Sequence, residues 1–298
     1  YPALVTDLDT CTTFEALDNF RLSNVVGNMN VNNYISPLEC KTDRTSSVGM
    51  KWMPAFRCMS HQYMFIERMR QVGWGHDPAG RMVAKAGKAM VICWACPYDR
   101  FLYMLILAID TNFKLKNHIQ AHEHDDPSLG PGWGPFVEPT VYKEHLQNYV
   151  AKNDISMCIA FTALMQKETR NTAGLHVFSV GSCVCAQYEC MHPNGLGDPQ
   201  RGEHYANMDY IVMAALVSFN LIQLTLSYDI TCQWKKNLPS CMAKLPARLQ
   251  LNLNKIECQC GLPVWHALSH KSSCTNENSL SFLKGIAKSD GEGVECLW

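Results

Sequence analysis

The chain has 298 residues, 47% of them hydrophobic, with 26 Lys+Arg against 27 Asp+Glu. That composition excludes a disordered chain, which needs low hydrophobicity and high net charge, and a collagen-like or low-complexity one, because 18 Gly and 14 Pro are too few. A net charge of −1 supplies no global field for nucleic acid, so contact with DNA has to rely on local basic patches.

Residues 11 to 35 carry Phe14, Leu17, Phe20, Leu22, Val25 and Val26 at helical spacing, with Thr12, Thr13 and Glu15 as a start signal. A second helix is expected from Trp52 to Val72, and Gly73, Gly75, Asp77, Pro78 and Gly80 break it. From Met90 the pattern changes. Met90, Val91 and Ile92 lead into a CxxC turn, Cys93 to Cys96, and the apolar run Phe101 to Ile109 reads as a buried strand that ends at Asp110. Residues 116 to 135, with His118, His122 and His124, read as loop. Tyr142 to Lys152 and Cys158 to Thr169 read as helices, Leu175 to Cys185 as one strand, and Pro193 to Gly202 as a turn region. Asn207 to Phe219 is expected to be a buried helix. Leu221 to Tyr228 reads as a second apolar strand, again ending at an acid, Asp229, and Ile230 to Met242 as a helix. A His/Cys cluster follows at Pro263 to Cys274, and an acidic cluster at Asp290, Glu292 and Glu295. No apolar run approaches the roughly 18 residues of a membrane span; Ser218, Asn220 and Gln223 interrupt the longest, Tyr210 to Leu226. Tyr1 in the place of Met, and Trp298 closing the chain just after the acidic cluster, read as a piece of a longer protein or a broken gene.

The 15 Cys are an odd number in a long chain with no secretory leader, which points to a reducing, intracellular setting. Most are then small buried hydrophobes or metal ligands. Cys93 with Cys96 reads as half a metal site or as plain buried thiols; redox chemistry is disfavoured because Pro97 follows directly. Cys183 and Cys185, with Cys190 and His192, form a second ambiguous group. His266 and His270 stand at i, i+4, on one face if helical, and can share one metal with Cys258, Cys260 or Cys274. A zincin is disfavoured, because Ala267 stands where its Glu belongs. Neither a P-loop nor a GxSxG motif is present.

The acids carry the sharper chemistry. Two strands that each end in Asp can present both carboxylates to one hard cation at a sheet edge, and a third carboxylate completes a two-metal site for displacement at phosphorus. Glu292 and Glu295, three apart, share a face if helical. Strand-end Asp residues are common in any α/β protein, and spacing alone favours the bland reading.

Several segments in order resemble the Kyakuja–Dileera–Zisupton (KDZ) transposases. They are Phe101 to Lys116 around Asp110, Pro131 to Gly134, Pro193 to Asp198 with Gly202 to Tyr210, Ser227 to Asn237 around Asp229, Pro263 to His270, and Ser289 to Trp298. The resemblance implies an α/β, ribonuclease-H-like DDE transposase core with a helical N-terminal region and Cys/His-rich insertions. In that reading residues 1–89 are the helical region and 90–298 the core, with an insertion at about 116–205 and a truncated end. The resemblance makes Asp110 and Asp229 ligands of two Mg²⁺ ions, with Glu292 or Glu295 as the third, and leaves that choice open. It implies DNA ends and target as partners, action in the nucleus and a homo-oligomer; the cysteine-cluster (CxC) domain often found upstream in the family is absent from this sequence. Cys93, Cys96, Cys183, Cys185, His266 and His270 stand as candidate zinc ligands.

The sequence departs from the family pattern where Cys185, Ala186, Gln187 and Tyr188 stand in place of Cys-Ala-Arg-His, and where Cys296 stands in place of Arg. With the cut after Trp298, these departures imply a degenerate or fragmentary copy, inactive in strand transfer. The competing function is a non-catalytic, zinc-stabilised module that binds nucleic acid or protein. An unrelated α/β hydrolase ranks last. The first two differ geometrically: a transposase needs Asp110 and Asp229 side by side, whereas the module needs only converging cysteines.

Overall fold

The computed structural model describes residues 1–3, 10–42, 52–79, 84–96, 104–115, 117–118, 130–149, 175–177, 179–199, 205–252 and 255–297. The helix expected at Cys158 to Thr169, together with His122, His124 and Pro97 to Tyr103, lies outside them. The chain forms two compact units, residues 1–83 and 84–298.

The first unit is helical. Helix α1 spans Phe14–Gly27, α2 Val31–Thr42 and α3 Met53–Gln71. The Thr13 hydroxyl accepts from the Ala16 amide at 3.1 Å and so caps α1. The single helix expected over 11 to 35 is two. Gly27 and Asn28 divide it, with Asn28 left-handed at φ 50°. Leu17, Phe20, Ile35, Phe56, Met59 and Tyr63 form the unit's core.

The second unit is built on a five-stranded mixed sheet in the order β5-β4-β1-β6-β7. Strand β1 is Leu105–Asn112, β4 Val180–Cys185, β5 Met191–Gly197, β6 Gln223–Tyr228 and β7 Glu257–Gly261. Strands β2 (Asn117–His118) and β3 (Leu175–Val177) pair in a separate ribbon. Strand β1 is central, antiparallel to β4 and parallel to β6. Its unbroken apolar run follows from burial on both faces. Leu105, Leu107 and Ile109 join Leu224, Leu226 and Tyr228 on one face, under helices α4 (Pro139–Tyr149), α5 (Tyr205–Leu216) and α6 (Thr231–Met242). Ile106 and Ala108 join Val184 on the other face, covered by Leu280, Ile286 and Val294.

Every residue of α5 but Ala214 is buried, including Asn207 and Asp209. Each makes a bond through its Oδ1. The Tyr142 hydroxyl donates to Asn207 Oδ1 at 3.2 Å, and Trp234 Nε1 of α6 donates to Asp209 Oδ1 at 2.6 Å.

Two expectations are corrected. Leu175 to Cys185 is not one strand but β3 and β4. The region read as a turn from Pro193 contains most of β5, because its turn-forming residues serve packing instead. Asn194, at φ 53°, donates through Nδ2 to the carbonyls of Gly132 and Phe136, both at 2.8 Å. Gly197 is needed because a Cβ there would stand 2.8 Å from Ile211 of α5.

Candidate functional site

The parallel register of β1 and β6 pairs Ile109 with Tyr228. Asp110 and Asp229 are the next residue along each strand, so the two acids stand side by side at the carboxyl end of adjacent parallel strands. Alternation along β1 turns Asp110 to the face of Ile106 and Ala108, where Val294 packs. Asp110 lies close enough to act electrostatically on both Asp229 and Glu295.

The remaining groups arrive from the segment after β7. The one-turn helix α7 (Val264–Ala267) follows Pro263, and the Val264 amide donates to the Asp290 carbonyl at 2.9 Å. This bond lays the acidic loop against the start of α7. Glu292 caps that helix: its Oε1 accepts from the Trp265 amide at 2.9 Å and from the His266 amide at 3.4 Å. Its other oxygen, Oε2, lies 3.0 Å from His266 Nδ1. His266 Nε2 in turn lies 3.3 Å from Asp229 Oδ2 and 3.4 Å from Glu295 Oε1. One imidazole thus touches three carboxylates.

Gly291 makes the turn that aims Glu292. It has φ 78°, and a Cβ there would stand 2.3 Å from Ser227 Oγ and 2.4 Å from Leu280. Glu292 and Glu295 do not share one helical face as the spacing suggested: Glu292 lies ahead of a turn, and Glu295 opens a short 3-10 turn, Glu295–Leu297. Gly291 and Gly293 disfavour a helix through both acids, and a tight turn, with the Glu295 amide donating to the Glu292 carbonyl at 2.9 Å, brings the two acids together.

The electrostatics follow from crowding. Burial pushes the Asp229 carboxyl up to about 7; His266 works against that rise, and Asp110, Glu292 and Glu295 add to it. Burial likewise raises Glu295, with Asp110 and Glu292 adding. His266 is raised to about 9, first by its bond to Glu292 and then by the charges of Asp229, Glu292 and Glu295. The donor set is oxygen-only apart from His266, and its mutual repulsion is relieved by a cation. That fits a hard divalent ion. His266, Glu292 and Glu295 place ligand atoms within 4.8 Å of one another.

His266 and His270 do not share a helical face. The Ser269 hydroxyl takes the His266 carbonyl at 2.7 Å and the Thr275 hydroxyl takes that of Ala267 at 2.7 Å, so α7 stops after one turn. His270 faces thiols instead. Its Nδ1 lies 3.9 Å from Cys232 Sγ on α6 and 3.8 Å from Cys274 Sγ on helix α8 (Ser272–Asn278). Burial lowers the His270 pKa, and nearby His266 lowers it further. Cys232 was not singled out from the sequence; its position in the first turn of α6, two residues beyond Ile230, was the available signal.

A third cluster joins two groups that the sequence left apart. Cys93, Cys96 and Cys185 converge, all buried, with sulfurs within 4.8 Å of one another. A bond from Cys96, then the amides of Gln187 and Tyr188, hold the Cys185 thiol below its ordinary range. Cys183 does not take part. It lies two residues back along β4, about 7 Å away, as an apolar member of the core. Cys258 and Cys260 share a thiol–thiol hydrogen bond on β7, outside both groups. The Cys/His clusters can hold a metal such as zinc. Among the described residues no helix is long and apolar enough to cross a membrane, and the fourteen described cysteines are free thiols.

No curated protein and no solved structure gives a significant match to the chain. The family model described as Kyakuja-Dileera-Zisupton transposase matches residues 103–298, the span that carries all four acids, His266 and His270. The chain belongs to the KDZ transposase family.

Proposed function

We propose that the chain is the DDE-type catalytic core of a DNA transposase, acting in the nucleus on transposon ends and target DNA by phosphodiester hydrolysis and strand transfer. One observation carries this reading: Asp110 and Asp229 end up side by side on parallel strands, with Glu292 and Glu295 brought to the same point. A ribonuclease-H-like core is supported by the antiparallel run β1-β4-β5 on one side of β1 and the parallel strands β6 and β7 on the other. The helical N-terminal region and an insertion between β1 and β4 belong to the same proposal.

Asp110, Asp229 and one or both of Glu292 and Glu295 would hold Mg²⁺. The chemistry such ions supply when bound is activation of the attacking oxygen and charge relief at the leaving oxygen. The chain's own groups do the positioning. Glu292 spends one oxygen on the amides of α7, which leaves the other at His266. Glu295, about half exposed, is the freer carboxylate and the better candidate for the third ligand. His266 holds a proton at Nε2 between Asp229 and Glu295 and keeps the acids from splaying in the absence of a cation.

The departures from the family pattern meet at the edge of the acidic turn, where Cys296 follows Glu295 directly. Tyr188 is on the β4–β5 hairpin and Cys296 bonds Glu189 beside it. We infer that this copy is degenerate and inactive in strand transfer, while its metal site stays in place. The zinc-stabilised binding module needs no meeting of acids, and the register of β1 and β6 favours the enzyme over it.

Metal binding tests the proposal independently of turnover. Mn²⁺ titration followed by electron paramagnetic resonance should show two bound ions, lost in Asp110→Asn and Asp229→Asn. Mg²⁺-dependent nicking of terminal-repeat DNA should vanish in the same variants. Mn²⁺ binding that is absent, or unchanged in both variants, would overturn the reading.

A further inference from the structure

We propose that Cys93, Cys96, Cys185 and Cys190 hold one structural zinc ion, which ties the segment ahead of β1 to the β4–β5 hairpin. Nothing in the transposition chemistry requires these thiols, and the hairpin that carries two of them abuts the acidic turn at Gly293 and Cys296.

Four observations converge. Three buried sulfurs already stand within 4.8 Å of one another, close to the spacing of about 3.8 Å that four sulfurs at about 2.3 Å from a tetrahedral zinc adopt. The fourth, Cys190, is on the far limb of the hairpin, and its thiol reaches both Cys93 and Cys185 electrostatically. The backbone of each ligand pair is folded as a knuckle. The Cys96 amide donates to the Cys93 carbonyl at 3.2 Å, and the Cys185 amide to the Cys190 carbonyl at 2.9 Å. Glu189 takes φ 56° to close the hairpin, its amide donating to the Cys185 carbonyl at 2.9 Å. The amides of Gln187 and Tyr188 point at the Cys185 sulfur. N–H groups aimed at sulfur favour thiolate over thiol, the form in which a metal binds it.

The surroundings suit a closed site. His192 is fully buried against the Phe219 ring, with Nε2 3.9 Å from Cys96 Sγ and, among the described residues, no partner at Nδ1. Trp94, between the first two ligands, lies against Tyr188 of the hairpin at 5.5 Å between ring centroids. The ion and the two aromatic rings therefore clamp the same two segments. Binding displaces four thiol protons to solvent and leaves a site of net charge −2, so affinity should fall with pH. Because Leu107 pairs with Cys185 and the Ala186 amide donates to the Ile106 carbonyl at 3.0 Å, the clamp bears directly on the strand that carries Asp110.

The test uses the full chain, purified under reducing conditions without chelator. Elemental analysis should find zinc, and Cys185→Ser or Cys190→Ser should lose one equivalent that Cys183→Ser and Cys274→Ser both keep. Where a cysteine variant fails to fold, X-ray absorption on Cys274→Ser, which removes a thiol of the His270 cluster, decides on otherwise intact ligands. Four sulfurs at about 2.3 Å are expected. Three sulfurs and one nitrogen would overturn Cys190 as a ligand and put His192 in its place. Zinc absent from the wild-type chain, zinc content unmoved in Cys93→Ser and Cys185→Ser, or a disulfide among the four by mass spectrometry would overturn the site altogether.

Discussion

Replacing Asp229 with Asn is expected to make the metal-free protein more stable at pH 8. In the folded chain the Asp229 carboxyl is raised from 3.8 to about 7, chiefly by burial. A group whose folded pKa lies above its unfolded one favours folding in its protonated form. Its contribution is therefore intact below pH 4 and is lost as the pH climbs through 7. The shift is roughly 3 pH units at about 1.4 kcal/mol each, a ceiling of about 4 kcal/mol. The side chain keeps 21% of its surface in water, and screening brings the expected gain to about 2 kcal/mol. Asn fills the same space and carries no charge to desolvate. Urea unfolding in EDTA should show a higher midpoint for Asp229→Asn at pH 8, with the difference shrinking as the pH approaches 4. Added Mg²⁺ should raise the wild-type midpoint and leave the variant nearly unmoved, because a ligand stabilises only the form that binds it. A lower midpoint for the variant at pH 8, or a gain that persists at pH 4, would refute the electrostatic argument.

Two further outcomes follow from packing. Trp234→Phe removes the donor to the buried carboxylate of Asp209 and leaves a gap between α5 and α6, so it should cost about 2–4 kcal/mol in urea unfolding. Gly291→Ala has neither the conformation nor the space for a methyl group; it should cost about 1–3 kcal/mol from backbone strain alone and weaken Mn²⁺ binding by displacing Glu292, whereas Gly27→Ala, which meets nothing within 4 Å, should do neither.

The acids were legible in the sequence because two unbroken apolar runs ending in Asp are what a doubly covered parallel pair looks like. Helices α4, α5 and α6 were legible from their apolar spacing, and that of Thr231–Met242 survives its interior Pro239. Strand β5 was not legible. Pro193, Asn194, Gly195 and Gly197 carry the composition of a turn, and only the close approach of Ile211 and the carbonyls around Asn194 explain a strand there. The α7 region misled for a local reason, because the i, i+4 spacing of His266 and His270 says nothing of the hydroxyls of Ser269 and Thr275 that end the helix between them. Cys183 and Cys185 looked equivalent on paper, but only one of them lies at the mouth of the hairpin where Cys93 and Cys96 arrive.

The central position of β1 has a kinetic consequence. Its partners are distant in the chain: Asp110 meets Asp229 across more than a hundred residues, and the Glu292–Glu295 turn later still. Pairings of such long separation close slowly, because loop-closure entropy is lost before the contacts form. During synthesis the hairpin of β4 and β5 can dock on β1 well before β6 emerges, and the acidic turn arrives last of all. A nascent chain thus assembles its scaffold with the carboxylates still apart, and the acidic cluster around His266 comes into being only when residues 290–295 lock onto α7.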